Sequence, residues 1–236
     1  MNDLALPLFI TSEHPCGYFH ARNSANLIPD PQRCMDTLLY AQLVKHGFRR
    51  SGSFVYRPHC TTCQLCVPCR INVSRFKANR NQRRCLKRNQ DLTTHIKNAA
   101  FSDEYLDLYR HYLHSRHHES SMAAPTEDDF KSFLLCNWSQ SLFIESRLNG
   151  RLLSVTLADF LSIGPSAVYS FFDPDESKRS LGTFAILQQI WLARLYRLKH
   201  VYLGYWIEDH PKMDYKSNFH PTELYLHSQW INKNIL

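Results

Sequence analysis

At 236 residues, with 44% apolar and 21% charged positions, the chain has material for one large core or two ordinary ones, and two domains are expected. No apolar run approaches the roughly 20 residues a membrane span needs, and the opening MNDLALPLFITSEHP carries an acid and Pro7, a poor secretory signal, so a cytoplasmic protein with reduced thiols and no membrane partner is expected. The net charge of +7 sits wholly in the first part: residues 1–99 hold 15 Lys and Arg against 5 Asp and Glu, and residues 100–236 hold 13 against 16, a field that attracts a polyanion such as nucleic acid.

In chain order, His14 to Ala25 reads as a loop with one short strand. Leu38, Leu39, Leu43 and Val44 recur at helical spacing, with Asp30 and Pro31 as start signals and Gly47 as the stop, which predicts a helix from Asp30 to His46. Phe48 to Arg57 reads as a strand or hairpin turning at Gly52.

His59 to Val73 carries Cys60, Cys63, Cys66 and Cys69 at a strict spacing. Thiolates two residues apart aim both sulfurs at one point, the usual knuckle of a zinc or iron–sulfur site. One tight segment rarely closes a tetrahedron by itself, so Cys16 is the remote partner and Cys69 is left outside. The alternative is a loop of small, partly buried thiols that pack as hydrophobes.

Next come seven basic residues in the fourteen positions 75–88: Arg75, Lys77, Arg80, Arg83, Arg84, Lys87 and Arg88, with no acid among them. A solvated face is the usual explanation of a charge run when acids are interleaved; here a phosphate backbone is the better one. If the run is a helix, Cys85 and Leu86 mark its inner face.

Phe101 to His117 reads as an amphipathic helix. Of its histidines His111, His114, His117 and His118, two stand i,i+4, but no HExxH pattern accompanies them and they are expected to be exposed helix-end residues. Thr126 caps a helix from Glu127 to Cys136. Strands are predicted at Ser141–Leu148, Arg151–Phe160 across an Asn149-Gly150 turn, and Ala167–Phe172, then a helix at Ser180–Leu198 and a strand at Val201–Tyr205. A short helical or looped piece follows at Pro211–Asn218, and a last strand at Glu223–Gln229. The order implies an α+β fold: a small basic, cysteine-containing N-terminal domain, 1–99, and a second domain, 100–236, with a mixed, mainly antiparallel sheet.

Long blocks of the chain resemble the bacterial aspartate/glutamate leucyltransferase family, prokaryotic relatives of arginyl-tRNA–protein transferases. They are CGY from Cys16, GFRRSG from Gly47, YRPHCTTCQLC from Tyr56, QRRCLKRNQDL from Gln82, SFFDPD from Ser170, SLGTFAILQQIWLA from Ser180, and YLGYWIEDHPKMDYKSNFHPTELY from Tyr202. The resemblance implies a GNAT-like acyltransferase fold for residues 100–236 and an aminoacyltransferase that moves leucine from Leu-tRNA to proteins with N-terminal Asp or Glu, marking them for degradation. It also favours Cys16, Cys60, Cys63 and Cys66 as the metal or cluster ligands, zinc or iron–sulfur, since Cys69 stands where the family has another residue.

An aminoacyl ester is already activated, so the transfer itself requires no cofactor. The chemistry is expected where a GNAT-like sheet splays, with Tyr169, Ser170, Asp173, Tyr202 and Lys216 as the catalytic candidates: Asp173 or Tyr202 to orient the amine, Lys216 or Ser170 to stabilise developing charge. Core packing is the even alternative for the tyrosines. Arg49, Arg50, Arg57 and Arg70 are the candidates for the acceptor carboxylate, because guanidinium binds it bidentately. The basic run is expected to meet the tRNA. Three other readings compete. An arginyl donor would want an acidic pocket, an acetyl-CoA enzyme would want a glycine-rich loop that SKRSLGTFA lacks, and a non-enzymatic RNA-binding module with a cysteine metal site would leave the second half without a purpose.

Overall fold

The computed structural model describes residues 6–116 and 125–235; His117 and His118 lie outside them. The chain opens with β1 (Leu8–Ile10), a hairpin of β2 (His14–Pro15) and β3 (Asn23–Ser24), and β4 (Asn26–Pro29). Asp30 then closes a turn, accepting from the Gln32 amide at 2.9 Å, instead of starting a helix. Helix α1 (Thr37–Lys45) begins later, capped by Asp36, which accepts from the Leu39 amide at 2.7 Å. The predicted hairpin is present as β5 (Arg49–Ser51) and β6 (Phe54–Pro58).

Sequence reading did not anticipate β7 (Val67–Asn72). Its alternation of Val67, Cys69, Ile71 and Val73 is that of a buried strand, but the cysteine spacing and Pro68 mask it. Helix α2 (Arg80–Arg88) follows behind a capping box: the Asn79 side chain accepts from the Gln82 amide, and the Gln82 side chain from the Asn79 amide, both at 2.9 Å. Cys85 is buried on it as expected, whereas Leu86 is exposed. After β8 (Thr93–Asn98) come α3 (Asp103–Arg116), α4 (Glu127–Leu134), β9 (Ser141–Leu148), β10 (Arg151–Leu161), β11 (Gly164–Phe172), α5 (Leu181–Leu195) and β12 (His200–Trp206). The single last strand expected is a hairpin of β13 (Thr222–Leu226) and β14 (Gln229–Asn232), turned by His227 and Ser228, both at positive φ.

Eight strands form one sheet in the order β14-β13-β7-β12-β11-β10-β9-β8, with β11 and β12 its parallel pair and the others antiparallel. This is the expected α+β class with a mixed, mainly antiparallel sheet. The line drawn between residues 99 and 100 runs between elements of that one sheet, because β7 and β8 precede it and the remaining six strands follow it. Helices α2 and α5 cover one face through Cys85, Leu187 and Ile190 against Ile71, Val201 and Leu203. The other face carries α3 and α4, with Tyr109, Leu113 and Phe130 against Val155, Leu157 and Phe171, and α1 against Tyr202 and Leu161. No helix among the described residues is long and apolar enough to cross a membrane.

β1, β4, β6 and β5 make a smaller sheet, fastened to the large one by Arg50 of β5. Its guanidinium meets both oxygens of Asp159 on β10, at 2.7 and 2.8 Å, and also donates to the Gly52 and Leu134 carbonyls and to Ser141 Oγ. Both side chains of the pair are fully buried. Removing one partner of such a pair generally costs about 3–5 kcal/mol, since it strands the other charge. Arg50 is therefore a fastening of the fold, and its expected role with an acceptor carboxylate is corrected: all five N–H donors already have acceptors.

Candidate active site

β11 and β12 are paired at Ser166 and Tyr202 and separate beyond that point. Both strands are irregular here: in β12 the register against β7 shifts between Tyr202 and Gly204, with Gly204 at φ +76°, a conformation that glycine adopts without strain, and in β11 Val168 is left without a partner where the register against β10 shifts. The parting leaves β11 carbonyls without strand partners, and Arg49 of β5 supplies them: its Nη2 donates to Ala167 O at 2.9 Å and to Val168 O at 2.8 Å. A Cβ on Gly204 would lie 2.2 Å from Arg49 Nη1, so the glycine also makes room for the guanidinium.

The opening is a cleft of about 760 Å³. Its apolar wall includes Val168, Phe172, Ile186, Leu203 and Met213, and the first turn of α5 from Ser180 to Thr183 forms one rim, where the positive end of the helix dipole favours an anion. Lys216, 5% exposed, enters from the far side and donates to the Tyr205 carbonyl. Burial pulls its ammonium down to about 8; the thiol of Cys69 works against that shift and the charge of Arg49 adds to it. Glu176 is the one carboxylate lining the cleft among the described residues, and it is engaged by Arg151 and Arg179.

Gln189 of α5, unremarked in the sequence reading, also lines the cleft. It is 1% exposed; its Nε2 donates to Ala185 O, and its Oε1 has no protein partner. A buried acceptor without a protein partner calls for one from water or a bound molecule. The only sequence signal for it is a pair of glutamines within the apolar run AILQQIWLA.

Among the expected catalytic residues, Tyr169, Ser170 and Lys216 line this cleft. Ser170 Oγ donates to Thr156 Oγ1 at 3.4 Å, and Tyr169 makes edge contacts with Tyr109 and Phe133. Asp173 does not line it: one oxygen caps the following short helix through the Asp175 amide at 2.9 Å, and the other binds Arg151 at 3.0 Å. Tyr202 alternates away from the cleft-facing Leu203 and packs beside Trp230 in the α1 layer. Amine-orienting roles for Asp173 and Tyr202 are corrected accordingly.

Of the arginines, Arg49 and Arg50 line the cleft, Arg50 with every donor already engaged. Arg57 lines a neighbouring cavity of about 650 Å³ and donates to His46 O at 2.7 Å. Arg70 is paired with Glu223 at 2.7 Å and lies over the Trp230 ring, so its expected carboxylate-binding role is corrected too.

The neighbouring cavity also holds Cys16, Cys60, Cys63 and Cys66, and shares Tyr18, Ser51 and Tyr56 with the cleft. Cys69 lies in the core on β7. Burial pushes the Cys66 thiol up to about 12, and Cys16, Cys60 and Cys63 add to the effect. Thiols are the donors that zinc and iron–sulfur clusters take, but these four sulfurs do not form a ligand-like group as close as one found elsewhere. The tightest ligand-like group among the described residues is elsewhere, at His111, Asp173 and Asp175, whose donor atoms lie within 4.8 Å of one another. His111 and His114 are exposed on α3, as expected.

All seven cations of the basic run are exposed, and among the described residues none makes an ion pair with a protein acid.

Family models described as arginine-tRNA–protein transferase, N terminus and C terminus, match residues 14–84 and 104–226. The chain is 48% identical over 235 residues to an aspartate/glutamate leucyltransferase of Pseudomonas putida, spanning 99% of this chain and 100% of that one. It is 45% identical to the aspartate/glutamate leucyltransferase of Saccharophagus degradans, across 98% and 99% of the two chains. Among solved structures it shows a distant likeness to L-PGS of Bacillus licheniformis, with a TM-score of 0.44 at 14% identity, covering 75% of this chain and 53% of that one.

The wedge at the strand parting predicts a specific coupling. Gly204→Ala should destabilise by about 2 kcal/mol, a fall in melting temperature of roughly 4–8 °C, through the positive φ and the collision with Arg49. In Arg49→Ala the collision is gone, so thermal denaturation of the double variant should show less than the sum of the two losses; strict additivity would mean that the residues are independent.

Proposed function

The chain belongs to the family of arginine-tRNA–protein transferases and aspartate/glutamate leucyltransferases, and on that premise we propose that it transfers leucine from Leu-tRNA to the N-terminal Asp or Glu of acceptor proteins. The observation that carries the choice of leucine is the lining of the cleft. Half-buried Arg49 and buried Lys216 face apolar walls, the charge of Arg50 is taken up by Asp159, and the one lining carboxylate is already engaged. An arginyl side chain would bring a further positive charge into that space, whereas leucine asks only for apolar contact.

The acceptor α-amine attacks the ester carbonyl, the C–N bond forms, and the bond to the ribose oxygen breaks; the proton lost by the amine ends on that oxygen. A free α-amine titrates at about 7.7–8.0, which leaves roughly a tenth of it neutral at pH 7, so freeing the nucleophile costs about 1 kcal/mol, against the 7–11 kcal/mol that positioning can supply. Gln189 Oε1 offers an N–H acceptor within the cleft, and the ammonium of Lys216 offers charge for the tetrahedral oxyanion. Arg49 is the guanidinium nearest to hand for the acceptor's side-chain carboxylate. Acceptor entry from the cysteine side is supported by the shared wall of Tyr18, Ser51 and Tyr56, and tRNA entry over α2 by cations that no protein acid pairs. Tyr169 and Ser170 remain wall residues that shape the cleft.

The four thiols facing the second cavity would hold a structural zinc or iron–sulfur cluster, which would tie the Cys16 loop to the Cys60–Cys66 segment. Anaerobically purified protein should then contain metal that is lost in Cys16→Ser and kept in Cys34→Ser, an exposed cysteine elsewhere. A metal-free wild type would remove the site.

Offering Leu-tRNA and Arg-tRNA side by side with an Asp-initiated peptide tests the main reading: leucine should be transferred and arginine at least tenfold more slowly. Equal use of the two would sink the choice of donor. The pH profile tests Lys216. Activity should rise as the acceptor amine loses its proton and fall as Lys216 loses its own at about 8, giving a narrow bell. Lys216→Arg should move the alkaline limb upward while retaining part of the rate, and Lys216→Met should lose about 10²-fold or more.

A further inference from the structure

The outer face of α5 is apolar and exposed only towards its C-terminus, where Trp191 is 54% exposed, Leu195 60% and the following Tyr196 58%. Trp191 and Leu195 are one helical turn apart and share a side. Single exposed hydrophobes need no explanation, but these three are interleaved with exposed Arg194, Arg197 and Lys199, and no acid occurs from Ser180 to Ile207. The ring of Tyr196 is held edge-on to Phe160 with centroids 4.8 Å apart. Aromatic faces set among cations suit a strand of nucleotides, whose bases stack and whose phosphates pair with charge.

The basic run leads to this patch. At one end Arg179 donates to Arg88 O at 3.1 Å and Asn89 to Arg179 O at 2.8 Å, beside Ser180 on the cleft rim. At the other end Arg194 Nη2 reaches Val73 O at 3.4 Å and also Phe76 O. The seven exposed cations thus follow α5 from the cleft to its last turn, about 21 Å for a 15-residue helix. A line of charge follows a strand; an anionic membrane would be matched by a flat field.

We propose that Trp191 and Tyr196, at the end of α5, form a stacking platform for unpaired nucleotides of the RNA whose backbone follows residues 75–88. This rests on the aminoacyl-tRNA reading above. The aminoacyl end of a tRNA is single-stranded, so a chain with its ester in the cleft has free bases to offer along this path. Stacking and phosphate contact leave different signatures, because counterion release gives a slope of log K against log salt and stacking contributes mainly to the intercept.

Affinity for deacylated leucine tRNA should therefore be measured across a salt series for wild type, Trp191→Ala, Trp191→Phe and Arg83→Ala/Arg84→Ala. Trp191→Ala should weaken binding about tenfold at every salt concentration with an unchanged slope. Trp191→Phe should recover most of the loss, and the arginine variant should flatten the slope by nearly two phosphates' worth. Unchanged affinity in Trp191→Ala would overturn the platform, as would an equal loss of binding to a blunt RNA duplex. Loss of binding to vesicles of equal phosphatidylglycerol and phosphatidylcholine, with tRNA binding intact, would assign the patch to a membrane instead. Leucyl transfer by wild type, assayed in parallel, separates the cases: if it proceeds while Trp191→Ala binds normally, only the platform fails, and if wild type neither binds tRNA nor transfers, the functional reading fails with it.

Discussion

The parting of β11 from β12, held open by Arg49, is the constraint on which the site depends. A sheet normally closes every ladder, because an unpaired buried carbonyl costs about as much as a lost hydrogen bond. Here irregularities in both strands, at Gly204 and at Val168, accompany the gap, and the guanidinium of Arg49 satisfies the carbonyls of Ala167 and Val168. That guanidinium comes from the small sheet, and Arg50 beside it fastens the same sheet to Asp159. Two adjacent arginines point to opposite sides of β5, one to hold the layers together and one to hold the strands apart.

The cleft has a polarity that follows from this scaffold. A half-buried guanidinium and a buried ammonium face an apolar wall with little acid to offset them, so the interior is hostile to cationic side chains and receptive to carbonyl oxygens, oxyanions and carboxylates. Burial keeps the ammonium of Lys216 close to the point where it gives up its proton, whereas Arg49 stays charged throughout. The two cations are thus not equivalent: one is a permanent field and the other responds to pH.

Much of this was legible in the sequence. The strands from 141 to 172 and helix α5 follow from periodicity and turn residues, and the place of Tyr169, Ser170 and Lys216 beside one cleft follows from the resemblance of long blocks to a known family. What escaped had physical reasons. β7 was hidden because Cys69 alternates with Val67 and Ile71 as a core residue while matching the spacing of the metal-type cysteines. Arg50 and Arg70 carry the charge a carboxylate site needs, but sequence does not reveal that Asp159 and Glu223, far along the chain, already meet them. Asp173 looked like an acceptor and is a cap. Gln189 gave no sign of itself within an apolar run, and it lines the cleft with a buried side-chain oxygen that has no protein partner.

The place of β7 bears on how the chain reaches this state. Cys69 pairs with Gly204 on one side and Leu224 on the other, so a strand from the first third of the chain waits for partners from the last. Loop closure over such separations is entropically slow, and until it happens both edges of β7 stay open to mispairing. On a ribosome the interior of this sheet would be sealed only once β13 and β14 had emerged, so a strand made early stays half-paired until the strands made long after it arrive.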